Sequence, residues 1–180
     1  MRILCKNKNI IHLGCADHLS LIEKKIEQDQ WIHKILTEVS NLCIGLNINQ
    51  EAIEFIQKKL RYKNVYYCDI LTDEVSLVIK DNKFDHIVIG EVIEHLDNPT
   101  MFLKILRLKL HGRVERFILT CSTAWFYKNF IYALKNKECI NTDHRYWFTP
   151  YTVCKIIKSA GLDIEEFYFV LSSGPRYNIF

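Results

Sequence analysis

The sequence lacks the features that mark several large classes of protein. Only six of its 180 residues are glycine and three are proline, and no repeat, low-complexity tract or Pro/Gly-rich linker divides the chain. No apolar run approaches the ~18 to 20 residues that a membrane-spanning helix needs. The basic N-terminus leads into a predicted strand rather than into the hydrophobic core of a signal peptide. We therefore predict one domain over residues 1–180, located in the cytoplasm.

Cysteine pairing and charge of one sign are also missing. The seven cysteines are odd in number, lie far apart and include no CxxC pair, which argues against a disulfide framework and a zinc knuckle and favours reduced thiols. The net charge of +3, from 24 basic and 21 acidic residues, is too small to indicate a nucleic-acid-binding protein. With 49% hydrophobic and 25% charged residues, the composition is typical of a globular protein.

Short apolar runs alternate with amphipathic stretches along the chain. The runs are rich in β-branched and aromatic residues, which predicts strands at 9–13, 42–46, 65–68, 84–89 and 117–121. Ser20 and Glu23 form a capping-box pattern that predicts a helix starting near Leu21, with an interruption at 27–30 before Trp31. Further helix boundaries are predicted by Asn49, by Asn98-Pro99 with Gly112, and by Thr149-Pro150 with Gly161.

This order of elements predicts a doubly wound α/β fold. Strands separated by helices join through right-handed crossovers into a parallel sheet that is covered on both faces, which gives three layers. Residues 162–171 are predicted to form a long last strand, antiparallel to the others, with residues 174–180 turning back beside it. In such a sheet, ligands bind at the carboxyl ends of the strands.

The turn after the first predicted strand, HLGCADH at 12–18, does not match a dinucleotide-binding loop. It has Gly14, but Ala16 and His18 replace the further glycines, and Asp17 would repel a phosphate. A ligand with a cationic centre and a small carboxylate suits the loop better, because backbone N–H groups can bind the carboxylate while nearby acids tolerate the cation. S-adenosylmethionine (SAM) is such a ligand.

Five segments in this order resemble the class I SAM-dependent methyltransferases of the type 11 group. They span roughly residues 9 to 170 and are HLGCADH at 12–18, IGLNIN at 44–49, VYYCDI at 65–70, FDHIVIGEVIEHLDNP at 84–99 and HRYWFTPYTVCKIIKSAGLDIEEFYF at 144–169. The resemblance implies a Rossmann-like methyltransferase fold with SAM as the cofactor.

The resemblance also implies roles for individual residues. Gly14, Cys15 and Ala16 would pass under the methionyl part, Asn47 would hydrogen-bond the ribose, and Asp69 would accept from the adenine amino group. The Ile70 backbone would read the adenine ring edge. Alternatively, Asp69 only caps the following turn. The remaining residues assigned to the cofactor are His18, Ile48 and Glu91.

The chain departs from the family pattern at three of these positions. The family usually has an acid at Asn47 and at His12, and a glycine at His18. An amide at Asn47 offers one acceptor oxygen where a carboxylate accepts from both ribose hydroxyls, so we expect weaker ribose binding. These departures leave open a non-catalytic, SAM-binding or scaffold protein.

The EVIEHL segment contains residues suited to a metal site. If it forms one helical turn, Glu91, Glu94 and His95 share a face, and His144 could complete a set that binds Mg, Mn or Zn. The pattern resembles the metal site of small-RNA 3′-end 2′-O-methyltransferases and an ExxEH segment of ubiquinone-pathway O-methyltransferases. In other type 11 relatives these residues contact cofactor, cap a helix or form an ion pair. Without a metal, His95 or His144 would be the general base.

The segment from Trp125 to Phe148 is rich in aromatics. Phe126, Phe130 and Leu134 are assigned to packing, while Trp125, Tyr146 and Trp147 are assigned as acceptor contacts. Only eight residues precede the first predicted strand, so we expect an open acceptor pocket. Such a pocket suits a small-molecule or glycan acceptor, or a site completed by a second subunit of a homo-oligomer.

Three functions follow from these observations. The first is SAM-dependent O-methylation of a small-molecule or carbohydrate-like acceptor. The second is metal-assisted 2′-O-methylation of RNA ribose, against which the modest net charge counts. The third is SAM binding without catalysis.

Overall fold

A computed structural model of the chain describes residues 1–17, 19–74 and 77–170. Within these residues, five strands form a parallel sheet in the order β3-β2-β1-β4-β5. The strands are β1 Asn9–Leu13, β2 Leu42–Asn47, β3 Val65–Tyr67, β4 Phe84–Gly90 and β5 Val114–Thr120. The doubly wound α/β prediction is confirmed, and all five predicted strands are present.

The helices alternate with these strands along the chain. They are α1 Arg2–Cys5, α2 Leu19–Glu27, α3 Ile32–Val39, α4 Gln50–Lys58, α5 Leu77–Lys80, α6 Pro99–Lys109, α7 Tyr127–Leu134 and α8 Pro150–Ser159. A 3-10 turn covers Ile93–His95. None of the helices in the described ranges combines the length and the apolarity needed to cross a membrane.

Three of the predicted helix starts are confirmed by side-chain caps. Asn49 accepts from Ala52 N at 3.0 Å, and Asn98 accepts from Met101 N at 2.9 Å. Thr149 accepts from Thr152 N as part of a capping box. Each cap satisfies a backbone donor that the first helical turn leaves without an intrahelical acceptor.

The predicted start of the first amphipathic helix was wrong. Helix α2 spans Leu19–Glu27 and so starts two residues before the predicted Leu21, which places Ser20 within the helix. The interruption predicted at 27–30 is present, because α2 ends at Glu27 and α3 begins at Ile32.

The predicted last strand is also wrong for the part that is described. Residues 162–170 form no strand, while Leu171 and residues 174–180 lie outside the described residues. Side chains alone bring this segment to the edge of the sheet: Glu165 pairs with Arg116 of β5 at 3.1 Å, and Phe169 stacks on Trp125 at 6.0 Å between ring centroids. The segment has the composition of a strand but no backbone ladder, and its apolar residues 167–170 are exposed.

The core covers both faces of the sheet. On one face, α6 and α8 pack against Ile11, Ile44, Ile87 and neighbouring residues, which are almost completely buried. Each such side chain contributes about 1.5–3 kcal/mol by leaving water. On the other face lie α2, α3 and α4.

Gly45 in the middle of β2 allows close packing on that second face. A Cβ atom at this position would lie 2.7 Å from His33 Cε1, 2.8 Å from Cys15 Sγ and 2.9 Å from Val65 Cγ1. The space that a side chain would occupy is therefore filled by the residue that follows Gly14 and by helix α3.

Candidate active site

The turn after β1 is fixed by Gly14. Its φ of +76° lies in the left-handed region that favours glycine, and its N–H donates to Leu46 O at 2.9 Å. A Cβ atom on Gly14 would lie 2.7 Å from Val92 Cγ2, which belongs to the turn after β4. The turns after β1 and β4 are thus in direct contact at the carboxyl edge of the sheet.

The residues after Gly14 are held in place by packing and hydrogen bonds. Cys15 is buried, its carbonyl accepts from Trp31 Nε1 at 3.2 Å, and burial raises the pKa of its thiol to about 12. This thiol therefore remains protonated and is not a nucleophile. Asp17 forms an ion pair with Lys25, which offsets its negative charge in the loop. His18 lies outside the described residues.

Asn47, at the end of β2, links two loops at the carboxyl edge of the sheet. The region between the turns that follow β1, β2, β3 and β4 at this edge is called the crevice. Asn47 Oδ1 accepts from Asn49 N at 2.8 Å, and Asn47 Nδ2 lies 3.5 Å from the carbonyl oxygen of Ala16. Ile48 is largely exposed beside it. The amide is thus oriented at the crevice by its own backbone, and its contact with a ribose stays a prediction.

Asp69, after β3, closes a turn. Its Oδ1 accepts from Leu71 N at 3.0 Å, and its own N–H donates to Asp73 Oδ2 at 2.8 Å. Ile70 is buried. Asp69 therefore caps the turn that follows it, as the alternative predicted. An additional contact of Asp69 with adenine stays a prediction.

Glu91 follows β4 in a conformation that is uncommon for a residue other than glycine. Its φ is +52°, in the left-handed region. Its N–H donates to Thr120 O at the end of β5 at 3.0 Å, and the chain leaves the sheet after this bond. Its Oε2 accepts from Ser122 Oγ at 3.0 Å. Surrounding protein and the charge of Glu94 raise the pKa of the Glu91 carboxyl.

Glu94 is a fully buried carboxyl group in the 3-10 turn. Its Oε1 accepts from the backbone N–H of Ser122 at 2.9 Å, whereas its Oε2 has no hydrogen-bond partner among the described residues. Ser122 therefore binds both carboxyls, through its hydroxyl and its backbone amide. A buried oxygen without a partner is costly, so a hydrogen-bond donor supplied by a ligand here would stabilise the group.

His95 and His144 form a pair beside these carboxyls. Their ring centroids are 4.6 Å apart at an interplanar angle of 88°. His95 Nδ1 lies 3.1 Å from the carbonyl oxygen of Asp143, so this nitrogen carries the proton and donates it, which leaves the Nε2 lone pair open to a proton. Desolvation, followed by the neighbouring His95, lowers the pKa of His144 and favours its neutral form.

Arg145 holds this arrangement together, whereas the sequence predicted it as a cation that pairs with a phosphate of the acceptor. Its backbone N–H donates to Glu94 O at 2.7 Å, its Nη1 donates to His95 O at 2.8 Å, and its Nε pairs with Asp97 Oδ1 at 2.5 Å. Tyr146 adds a hydrogen bond from its hydroxyl to Asp97 O at 2.9 Å. Arg145 follows directly after His144 in the sequence, the one indication of its position.

The four residues predicted to bind a metal occupy two pairs and do not form one ligand set. No three His, Cys, Asp or Glu residues in the described ranges are placed to hold a metal ion. The prediction assumed one regular helical turn, but Glu91 has a left-handed conformation and the helical geometry starts only at Ile93. The metal site at Glu91, Glu94, His95 and His144 is therefore not supported in this conformation.

The packing assignments in the aromatic segment were wrong. Phe126, Phe130 and Leu134 are exposed, Phe130 at 69% and Leu134 at 71% of their full surface. Trp125 is also exposed, and Trp147 is half-buried. Helical spacing of apolar residues predicted a buried face here, but no element in the described ranges covers it.

A second histidine pair lies under the Gly14 turn. The rings of His12 and His33 stack at 5.4 Å with an interplanar angle of 16°, and their Nδ1 atoms are 3.2 Å apart. Both residues are buried, and Trp31 and Tyr62 pack on His33. Burial lowers the pKa of His33 to about 4, and burial together with His33 lowers that of His12 well below its ordinary value.

A cavity of about 290 Å³ lies at the opposite edge of the sheet, where β2 begins. It is lined by His33, Thr37, Ser40, Asn41, Leu42, Cys43, Arg61, Tyr62, Lys63 and Asn64. None of the residues predicted to bind cofactor, acceptor or metal lines it.

Residues 29–111 match a family model described as a methyltransferase domain. Among curated proteins, none matches the chain by sequence. The fold, however, is similar to that of several solved structures.

Three of these structures illustrate the likeness. The magnesium protoporphyrin IX methyltransferase of Synechocystis, solved with bound S-adenosylhomocysteine (SAH), is 14% identical, with a TM-score of 0.54 over 87% of this chain and 65% of that one. A putative methyltransferase of Bacillus halodurans is 11% identical, with a TM-score of 0.56 over 89% and 64%. The small RNA methyltransferase HEN1 is 18% identical, with a TM-score of 0.55 over 87% and 19%. The chain spans less than two thirds of the length of each, and at these identities the likeness shows the fold.

Proposed function

Because the chain carries a methyltransferase domain with the class I fold, we propose that it binds SAM at the carboxyl edge of its sheet. We further propose that it transfers the methyl group to a hydroxyl oxygen of a small-molecule or carbohydrate-like acceptor. One observation carries the proposal. Gly14 contacts Val92, three residues before His95, and this contact supports a shared site for the cofactor turn and the histidine pair.

The residues of the first three strand ends bind the cofactor. The N–H groups of Gly14 and Cys15 both donate to Leu46 O, so the methionyl carboxylate is proposed to bind the next backbone N–H, that of Ala16, and the Asn47 amide to hydrogen-bond the ribose. Asp69 and the Ile70 backbone contact the adenine. Support for this comes from the tight packing of the turn against Leu46 and Trp31, which leaves the backbone of residues 14–16 fixed at the crevice.

The bound cofactor supplies an electrophilic methyl group on a sulfonium. The acceptor oxygen attacks the methyl carbon in line, the carbon–sulfur bond breaks to give SAH, and the hydroxyl proton moves to an imidazole nitrogen. His95 Nε2 is suited to this proton because Nδ1 already donates to Asp143 O. Holding the acceptor oxygen and the methyl group in register contributes most of the rate.

A second acceptor class, the ribose of RNA, is favoured by one observation. Glu94 Oε2, which has no hydrogen-bond partner among the described residues, would accept from a hydroxyl of such an acceptor. HEN1, by its name, acts on small RNA.

Calorimetry with SAM and SAH tests the cofactor site. In the variant Gly14→Ala the new methyl group would meet Val92 and impose strain at a φ of +76°, so we expect at least a tenfold loss of SAH affinity. Gly112→Ala is the matched control, because Gly112 has a φ of +73° but open space around its Cβ position. No heat with the wild-type protein, or equal affinity in both variants, contradicts the proposed site.

Transfer of labelled methyl groups identifies the acceptor. Monosaccharides, nucleotide sugars and short RNAs are assayed after EDTA treatment and again with added Mg, Mn or Zn. Labelled sugar without a metal requirement supports the first acceptor class, and metal-dependent labelling of RNA supports the second. Cofactor binding with no labelled product from either class favours the non-catalytic alternative.

A further inference from the structure

Helix α7 carries an apolar stripe that faces solvent. Tyr127, Phe130, Ile131 and Leu134 occupy positions i, i+3, i+4 and i+7, which lie on one side of a helix. Their exposed fractions are 61%, 69%, 41% and 71%, and α7 contains no buried residue. Soluble helices normally bury such a stripe, and an exposed one marks a surface that binds something.

The charges within residues 124–137, which include the stripe, are all basic, and the first acidic residue after them is Glu138. Residues 124–137 include Lys128, Lys135 and Lys137 and no acidic residue, and all three lysines are exposed. Trp125 and Phe126 extend the apolar surface at the start of the helix, where Trp125 stacks on Phe169. The segment therefore presents apolar side chains together with a local charge of +3 over residues 124–137, or +2 when Glu138 is included.

The apolar stripe and the lysines together favour one kind of binding partner over two others. A second copy packed on α7 across a two-fold axis would bring like-charged lysines of both copies together. A nucleic acid would stack on aromatic rings, but Ile131 and Leu134 supply aliphatic surface that does not stack. Anionic phospholipids provide both negative charge and an apolar layer for aliphatic and aromatic side chains.

We propose that helix α7 binds the surface of a membrane that contains anionic phospholipids, lying in the plane of the headgroups. The helix is eight residues long, which corresponds to about 12 Å, so it rests on the surface and cannot span it. The stripe of Tyr127, Phe130, Ile131 and Leu134 enters the boundary between headgroups and acyl chains, and the lysines bind phosphate groups. Binding is weak and reversible, because one short helix buries little apolar surface.

The placement of α7 connects this surface to the crevice. Helix α7 follows the carboxyl end of β5, and Thr123, just before it, pairs with Phe148 in the segment that carries His144 and Arg145. A membrane-bound molecule would thus present its crevice near the lipid headgroups. The surface itself does not depend on the proposed methyl transfer.

Vesicle sedimentation of the whole protein tests the proposal. We compare vesicles of phosphatidylcholine with vesicles in which about a quarter of the lipid is phosphatidylglycerol. The wild type is expected to bind the anionic vesicles at least tenfold more tightly, and less tightly as salt is raised. The double variant Phe130→Ser/Leu134→Ser is expected to lose binding. Lys128→Ala/Lys135→Ala is expected to lose the preference for anionic lipid.

The control is Met101→Ser/Leu108→Ser, which changes two exposed apolar residues on α6, 50% and 58% exposed, and should bind like the wild type. Thermal unfolding followed by circular dichroism, measured in parallel, reports that each variant is folded. Absence of wild-type binding, or equal binding by the wild type and Phe130→Ser/Leu134→Ser, contradicts the proposal. So does a dimer, or an RNA complex, that forms in place of vesicle binding and is lost in the same variant.

Discussion

Two histidine pairs have their rings in contact, in opposite surroundings. His12 and His33 stack face to face in the core, between the sheet and helix α3. His95 and His144 meet edge to face in the crevice, beside Glu91 and Glu94. Both residues of the first pair are buried, with Trp31 and Tyr62 packed on His33, whereas the second pair is partly exposed.

The difference teaches that surroundings, more than residue type, decide what an imidazole can do. In the core pair, burial strongly favours the neutral form and no carboxylate opposes it, so the rings act as polar packing. In the crevice pair, Glu91 and Asp143 favour the charged form of His144 and partly offset the lowering by burial and His95. The crevice pair thus faces opposing influences that the core pair lacks.

The largest expected effect tests the crevice pair. We expect His95→Gln to lower methyl transfer by about 10²- to 10⁴-fold, because glutamine can still donate to Asp143 O but cannot accept the proton as a base. SAH affinity and thermal stability should change little. His111→Gln, on an exposed residue, is the control. Full activity of His95→Gln would assign the proton transfer to another group.

The next effect tests the residue that positions the crevice pair. Arg145→Gln removes the ion pair with Asp97 and the hydrogen bond to His95 O, so we expect kcat to fall about tenfold with unchanged SAH affinity. A shift in the pH profile of kcat would distinguish displacement of the histidines from a general loss of folded protein. Arg116→Gln breaks an exposed ion pair with Glu165 and should leave both unchanged. An unaltered pH profile and rate in Arg145→Gln contradict the positioning role.

The core pair is expected to make stability depend on pH. The folded-state pKa of His33, about 4, lies below the unfolded value near 6.5, so the unfolded chain binds the proton first. Stability is therefore full above pH 6.5 and falls toward pH 4, by roughly 2 kcal/mol from His33 between pH 7 and pH 5. Urea unfolding at both pH values should show that the free energy of unfolding falls less in His33→Gln than in the wild type. In His111→Gln it should fall by the same amount as in the wild type. Equal pH dependence in all three proteins would contradict the assignment.

The smallest expected effect concerns the carboxyl pair beside His95. Burial and Glu94 raise the folded-state pKa of Glu91, so the charged form destabilises the folded state once the pH exceeds the unfolded value near 4.3. Glu91→Gln should therefore raise Tm at pH 8 more than at pH 4. Glu115→Gln, on an exposed residue of β5, is the control. A lower Tm for Glu91→Gln at pH 8 contradicts this account, and shows a contact that needs the charge.

The sheet and most helix ends could be predicted because they depend on local sequence. Buried β-branched runs and the caps at Asn49, Asn98 and Thr149 act over a few residues, and the structure confirms them. The resemblance to class I methyltransferases is confirmed by the family model and the fold. The lack of a strand at 162–170 and the exposure of the apolar side of α7 could not be predicted. Composition does not show whether an apolar segment packs against another part of the chain.

The site was predicted only in its parts. Sequence reasoning named Glu91, Glu94, His95 and His144, but it assumed a regular helix and missed the left-handed conformation at Glu91. It also missed the contacts of Arg145 with the turn after β4, which join residues about fifty positions apart. The stacking of His12 on His33, which are 21 positions apart, was missed for the same reason. No local pattern encodes such pairings.

The lack of a side chain at Gly45 couples the positions of three residues that pack around the cofactor turn. Since a methyl group there would collide with His33, Cys15 and Val65 at once, a saturation library at this position should return glycine among nearly all folded variants. Any tolerated replacement would require a smaller residue at 15, 33 or 65, and so would alter both the acid sensitivity of the protein and the depth of its ligand loop. The glycine at position 45 therefore couples the acid sensitivity of the protein to the shape of its ligand loop.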